Sequence, residues 1–520
     1  MYAKVISSKK FSLFKLILTL NTILFFASVN AQDSLYLVNT YTGTTENKLT
    51  GANALGDING DGFDDYCVIY RDSNNLNFSE VYLGGTGFFY KPDTTLSGYL
   101  TGIGDINKDG FDDFIKLTYE YPQVTRLFLY YGSNNKYDNN SQLMVSSFYN
   151  ELIGSFIKNA GDINGDSFDD LMIGSVYNWS NGVGRVYIFY GGVTISEEPD
   201  ITIIPRNLPD CFVNAGDGIG DINDDGLDDI AIAVKKSNLD GTDSNLVIIY
   251  YGHNNTTPEV PNFTIFSNSA YEIYNLNKFG NITGDYKDEF LFNTYDSIYI
   301  YSGLNKLYSL KNVMSNLGVI YGQGDLNGDN NFDLIIPDMD FKDDSEKYLS
   351  KVNIYFGSNT IDTTISKAIL GTQTYSSFGQ KTLFLGDLNN DGYDELGITA
   401  PSFRGNDTIV GKFYIYSMQK ITGVEDVSFN EELKDFSLEQ NYPNPFNPNT
   451  IIEFTIPEDG NVKFELFNAL GQKIKSIAEG MYKAGYNRIN LTGDNLTTGV
   501  YFYRILFKNH SITKKMTFIK

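Results

Sequence analysis

The chain has 520 residues, 15% aromatic and 42% hydrophobic, which is enough apolar material for more than one folded core. Its 64 acidic and 39 basic residues leave a formal charge of −25. That balance excludes the clustered Lys and Arg demanded by nucleic-acid backbones and anionic membranes, and favours cations or neutral ligands.

Residues 1–31 read as a secretory signal peptide. Lys4, Lys9, Lys10 and Lys15 precede the apolar stretch 16–27, and Val29, Asn30 and Ala31 offer a small-residue cleavage point before Gln32. The apolar stretch falls short of the roughly 20 residues a spanning helix needs, so no transmembrane segment is expected in the mature chain. Export permits disulfides, yet only Cys67 and Cys211 exist. They sit in strand-like segments of separate repeats and are expected to be buried free thiols, since a bridge needs Cα atoms within about 7 Å.

Residues 32–420 carry an internal repeat. "GDINGDGFDD" from Gly56 returns as "GDINKDGFDD" from Gly104, "GDINGDSFDD" from Gly161, "GDINDDGLDD" from Gly220, "GDLNGDNNFD" from Gly324 and "GDLNNDGYDE" from Gly386, with a worn copy, "GNITGDYKDE", from Gly280. Seven copies stand roughly 55 residues apart. Each is followed by an aromatic or β-branched run that usually ends in Gly, from "VYLGG" through "VYIFYGG" to "KFYIYS". Such runs signal strands, and no sustained helical period occurs in this region. Units of this length with about four short strands fit propeller blades better than solenoid coils. The expected architecture is all-β: a seven-bladed β-propeller followed by a small C-terminal β-sandwich. The last blade lacks a strand after Met418, and "SLYLVN" at 34–39 is expected to supply it, leaving no open edge.

Within the first loop Asp57, Asn59 and Asp61 occupy positions 1, 3 and 5, the Phe63 carbonyl position 7 and Asp65 position 9. These are hard oxygen donors of the kind Ca²⁺ takes. Five further loops offer the same set: Asp105, Asn107, Asp109, Phe111 and Asp113; Asp162, Asn164, Asp166, Phe168 and Asp170; Asp221, Asn223, Asp225, Leu227 and Asp229; Asp325, Asn327, Asp329, Asn331 and Asp333; Asp387, Asn389, Asp391, Tyr393 and Glu395. About six structural Ca²⁺ sites are expected. An EF-hand would need an acid at position 12, where this chain has Val68, Lys116, Ile173, Ile232, Ile336 and Ile398.

Gly62 supplies a left-handed bend; Ser167 and Asn330 replace it in two loops, and Ser is expected to weaken the third site. The fifth loop, with Asn281, Thr283, Asp285 and Glu289, is expected to be metal-free. The acid at position 8 (Asp64, Asp112, Asp169, Asp228, Asp394) is expected to point into solvent, and Ile58 at position 2 into the core. A site of about 0.1 mM affinity in about 1 mM Ca²⁺ adds about 1.4 kcal/mol. Six such sites rival the whole stability of a typical domain, about 5–15 kcal/mol.

DxNxDGxxD loops followed by a strand and a Gly-ended Val/Tyr run resemble the FG-GAP repeats of integrin α-subunit propellers and related bacterial surface proteins. Phe378 and Gly379, seven residues ahead of Gly386, with "GITAP" after the loop, carry the resemblance most fully; Ile153 and Gly154 replace the pair in the third repeat. The resemblance implies ligand engagement by loops opposite the calcium hairpins, here including "YNWSNGVGR", with Trp179, and "PSFRGND".

Beyond the acidic linker at 421–436, residues 437–520 alternate as a compact sandwich of roughly 80 residues, after prolines 443, 445 and 448 that forbid regular pairing. "NYPNPFNP", "LGQ", "GVYFYR" and the terminal "KKMTFIK" resemble, in order, the type A sorting domain of the type IX secretion system. That resemblance implies the secretion machinery as a partner and a location outside a Gram-negative cell, released or attached to its surface. His253 and His510 are the only histidines, so no histidine-based triad or zinc site is evident and no catalytic residue is nominated. The expected function is a calcium-binding adhesion or binding module for an extracellular protein or glycan. The alternative is a polysaccharide-binding or polysaccharide-degrading protein on the same scaffold.

Overall fold

A computed structural model describes residues 35–418 apart from 86–91, 121–123, 135, 138–140, 147–150, 178–183, 206–210, 238–242, 254–260, 268–270, 281–287, 296, 312–323, 344 and 359–364. It also describes 437–520 apart from 439–440, 442, 458, 469–472, 484, 494–495 and 509. The expected signal peptide and linker lie outside these residues. The chain divides into two compact units, Met1–Lys420 and Ile421–Lys520. Every regular element among the described residues is a strand, as the β-branched and aromatic runs require.

In the first unit every acidic loop with a described strand on both sides joins an antiparallel pair, and the aromatic run forms the third strand. The first repeat builds one sheet from Lys48–Gly56, Asp65–Arg71, Asn77–Tyr82 and Thr94–Ser97, paired in sequence order. The next four repeats each form a four-stranded sheet in the same way. The sixth shows three strands among the described residues, and residues 312–323 ahead of its loop lie outside that set. In the seventh, Thr382–Phe384, Leu396–Ala400 and Lys412–Ser417 are joined by Tyr36–Thr42, whose Tyr36 lies opposite Ser417 and Thr42 opposite Lys412. The strand expected from "SLYLVN" thus occupies the place left after Met418.

The strand following the loop is buried along nearly its whole length in several repeats, as in Asp65–Arg71, Glu289–Thr294 and Leu396–Ala400. Burial on both faces explains why these segments read as continuous apolar runs. Side chains from consecutive repeats share one core: Ile103, Ile115 and Leu129 of the second pack with Leu171, Ile173 and Phe189 of the third. Tyr66, Val68 and Tyr82 of the first pack in the same fashion with Leu383, Leu385 and Phe413 of the seventh.

The second unit is a pair of sheets. Ser437–Leu438, Asn449–Ile456 and Gly485–Thr492 form one; Lys473–Tyr482, Gly460–Asn468, Gly499–Phe507 and His510–Phe518 form the other. Ile452 and Phe454 from one and Phe464, Tyr503 and Ile505 from the other lie in a common core.

Candidate functional site

The six described loops share one hydrogen-bond plan. In the first, Asp57 Oδ1 accepts the N–H groups of Gly60 (2.7 Å) and Asp61 (3.1 Å), and Oδ2 accepts that of Gly62 (2.8 Å). Asn59 Oδ1 also accepts the Asp61 N–H, and Asp61 Oδ1 that of Phe63. The N–H at position 6 meets the position-1 carboxylate in every other described loop too, from Gly110, Ser167, Gly226, Asn330 and Gly392. Two residues per loop take left-handed backbone. Position 6 does so at Gly62 (φ 85°), Ser167 (77°) and Asn330 (64°), and position 4 at Gly60 (70°), Lys108 (56°) and Asp224 (62°). Ser167 therefore keeps the bend at the cost of strain that Gly avoids, while the bend at position 4 was not anticipated from the sequence.

The position-9 acid is fully buried in all six loops: Asp65, Asp113, Asp170, Asp229, Asp333 and Glu395. Each accepts the N–H of the position-2 residue of its own loop, Ile58 for Asp65 (3.0 Å) and Leu388 for Glu395 (2.8 Å). In five repeats its other oxygen accepts the N–H of the glycine that ends the aromatic run, as Gly84 does for Asp65 and Gly132 for Asp113. That glycine has a steric reason. A Cβ on Gly132 would sit 2.4 Å from the Asp112 carbonyl oxygen and 2.8 Å from that of Ile58, between two loops. The position-2 side chains are buried, Ile58 included, as expected.

Position 8 requires a correction. These acids do not point into solvent; in four repeats they reach the main chain of the preceding repeat's loop. Asp112 accepts the Asp57 N–H (2.8 Å), Asp228 that of Asp162 (2.9 Å), Asp394 that of Asp325 (2.8 Å), and Asp64 that of Asp387 (2.8 Å). Each also donates its own N–H to the carbonyl of the same partner, at 3.0–3.2 Å. Asp169 instead accepts from the Asn159 amide. The glycine before position 1 makes room: a Cβ on Gly56, itself left-handed at φ 76°, would sit 2.0 Å from Asp112 Oδ2. The signal for this role was the recurrence of the acid itself at one position.

The donor set is suited to a hard cation in its chemistry. A carboxylate offers about four lone-pair sites, and Asp57 and Asp65 spend three and two of theirs on backbone N–H groups. Burial pushes the carboxyl of Asp65 up to about 8, against the N–H bonds of Gly84 and Ile58, and Asp61 and Asp57 raise it further. The same burial takes Asp113 and Asp170 to about 8 and Glu395 to about 9. Among the described residues, however, no three His, Cys, Asp or Glu side chains are gathered as a group that could hold a metal ion.

Cys67 is a buried free thiol, pushed up to about 12 by burial. The Cys211 side chain, Trp179 and the fifth loop's residues 281–287 lie outside the described set. Of that fifth repeat, Asp288 pairs with Lys278 at 2.7 Å. His253 donates from Nδ1 to the Tyr251 carbonyl at 2.6 Å. In "PSFRGND", the Arg404 N–H donates to Gln373 Oε1 and the Gln373 amide to the Arg404 carbonyl, so two loops are tied together.

In the second unit the two terminal motifs meet. Phe446 of "NYPNPFNP" donates its N–H to the Thr517 carbonyl and accepts that of Ile519, and its ring lies 5.0 Å from Phe518 of "KKMTFIK". Residues 440–520 match the family described as the secretion system C-terminal sorting domain. No curated protein matches the chain at significant similarity. The sorting domain makes this a secreted or outer-surface-attached protein exported by type IX secretion, with that machinery as a partner. Among the described residues no helix is long and apolar enough to cross a membrane.

Proposed function

We propose that the first unit is a seven-bladed propeller of the FG-GAP type, stapled by Ca²⁺ and serving outside the cell as a binding or adhesion module. The observation that carries this reading is the contact of Asp64 with Asp387. The first repeat grips the last through the same atoms by which the second grips the first, as a closed ring of equivalent units requires. The shared core of Tyr66, Leu383 and Phe413 supports the same closure.

The metal would be held in each loop by the side chains at positions 1, 3, 5 and 9 and the carbonyl at position 7, as with Asp57, Asn59, Asp61, Asp65 and Phe63. Bound there, Ca²⁺ supplies positive charge that offsets mutual repulsion among the loop acids. The role is structural. A chain with only two cysteines, of which Cys67 is a buried free thiol, has no disulfide framework and gains from cations the cross-links that exported domains otherwise draw from cystines. Equilibrium dialysis of the exported chain against ⁴⁵Ca²⁺ tests the reading. About six ions per chain support it, and fewer than one at millimolar Ca²⁺ overturns it.

A further inference from the structure

The first unit holds an open cavity of about 1020 Å³, at the upper end of the roughly 300–1,000 Å³ typical of small-molecule sites. Its wall is built from the strands that lead into the acidic loops. Four residues ahead of the first residue of the first five loops the chain places Asn53, Thr101, Lys158, Asp217 and Asn277, all lining the cavity, as does the apolar Leu383 at the same place in the seventh repeat. The loops that follow are nearly identical, whereas these five side chains all differ from repeat to repeat except for the two amides. A position that only built the scaffold would carry the repeat's own pattern.

The five groups are bonded across repeats in two sets. Lys158 donates to Asp217 (3.1 Å) in the fourth repeat and to the Asn277 carbonyl oxygen (2.8 Å) in the fifth. Asn53 donates to the Thr101 hydroxyl at 3.3 Å. Of the three cations in the wall, Lys158 is paired with Asp217 and Lys278 with Asp288, while Lys381 donates to the Asn53 amide oxygen; with Asp169 and Asp228 also lining the cavity, the mixed signs argue against a simple anion well. Tyr119 and Tyr274 also line the cavity while remaining 53% and 56% exposed, which places them at its opening. Amides, a hydroxyl and matched charges within, with half-exposed phenol rings at the mouth, form the donor and acceptor mix that takes a polyhydroxylated ring by its edges and an aromatic face that takes it flat.

We infer that this cavity binds a saccharide, with hydroxyls on the polar side chains of Asn53, Thr101, Lys158, Asp217 and Asn277 and a sugar face on Tyr119 or Tyr274. This rests on the reading of the first unit as a binding module and names its ligand class. The test is calorimetric titration of the mature full chain, in 2 mM CaCl₂ as a set condition, on the order of the extracellular level. The probes are linear oligosaccharides of glucose, mannose, galactose, xylose and N-acetylglucosamine. Saturable binding of at least one, weakened about tenfold by Tyr274→Ala or Tyr119→Ala with an unchanged unfolding midpoint, is the expected result; tenfold corresponds to about 1.4 kcal/mol. Tyr375, 72% exposed and not part of the cavity wall, is the control, and Tyr375→Ala leaves binding intact. Failure of every probe to bind, or loss of binding in Tyr375→Ala but not in the cavity variants, overturns the inference. Neither outcome touches the calcium stoichiometry, so the two readings fail separately.

Discussion

The Asp64 carboxylate accepts the backbone N–H of Asp387 at 2.8 Å, across 323 residues of sequence. The Asp64 N–H returns a bond to the Asp387 carbonyl at 3.2 Å. Two loops at opposite ends of the unit are thus held by the reciprocal pair that holds Asp112 to Asp57.

Asp64→Ala removes the acceptor and strands the Asp387 N–H. The expected cost is about 1–3 kcal/mol, equal within error to that of Asp112→Ala, since the two contacts have the same geometry. Urea unfolding of both variants followed by intrinsic fluorescence checks this. A silent Asp64→Ala beside a damaging Asp112→Ala contradicts an equivalent junction between the ends.

Gly132→Ala pushes a methyl group between the Asp112 and Ile58 carbonyls, neither of which can move without shifting a loop. A loss of about 1–3 kcal/mol follows. Gly62 has open space around its Cβ position and only its φ of 85° to satisfy, so Gly62→Asn, which tolerates that region, costs much less. Thermal midpoints of the two variants should separate clearly, with Gly132→Ala the lower.

Ser167 holds its loop's bend at φ 77° without a side chain suited to it. Ser167→Gly relieves that strain, worth about 1–2 kcal/mol. The measurable outcome is a raised unfolding midpoint, together with slower hydrogen exchange in residues 162–170.

Much of this was legible in the residues. Alternating and continuous apolar runs announced strands, and the missing partner after Met418 pointed to the strand that Tyr36–Thr42 provides. Position 2 was rightly placed inside, because an apolar side chain flanked by ligand-type residues has nowhere else to go. Position 8 was misjudged for a physical reason. Its partner is a main-chain N–H in a different repeat, which no local spacing reveals, and an acid beside an acid reads as solvated until a donor is seen. The left-handed residue at position 4 escaped notice because Lys108 and Asp224 stand there as readily as Gly60. The cavity was illegible for the opposite reason: it is made by positions at which the repeats disagree.

In the second unit Glu465 is buried, bonded to the Lys473 ammonium and to Arg504 at 2.9 Å. The Lys473 hydrogen bond holds its carboxyl below the usual 4.5, with burial opposing and Arg504 adding to the effect. A carboxyl whose folded-state value is depressed contributes stability that is present above its unfolded value and lost as pH falls through the folded one. Hydrogen exchange in residues 460–468 of the full chain should therefore accelerate as pH drops below 4.5, beyond the intrinsic change. Glu465→Gln should exchange faster at pH 7 and lose that acid dependence.

The role of cations in the acidic loops is tested most directly by the thermal unfolding of the exported chain in about 1 mM CaCl₂ and again in excess EGTA. On the proposed reading six sites of about 0.1 mM affinity would each contribute about 1.4 kcal/mol at that concentration, so chelation should lower the first unit's midpoint by many degrees and readdition of Ca²⁺ should restore it. An identical midpoint in the two buffers would contradict the account.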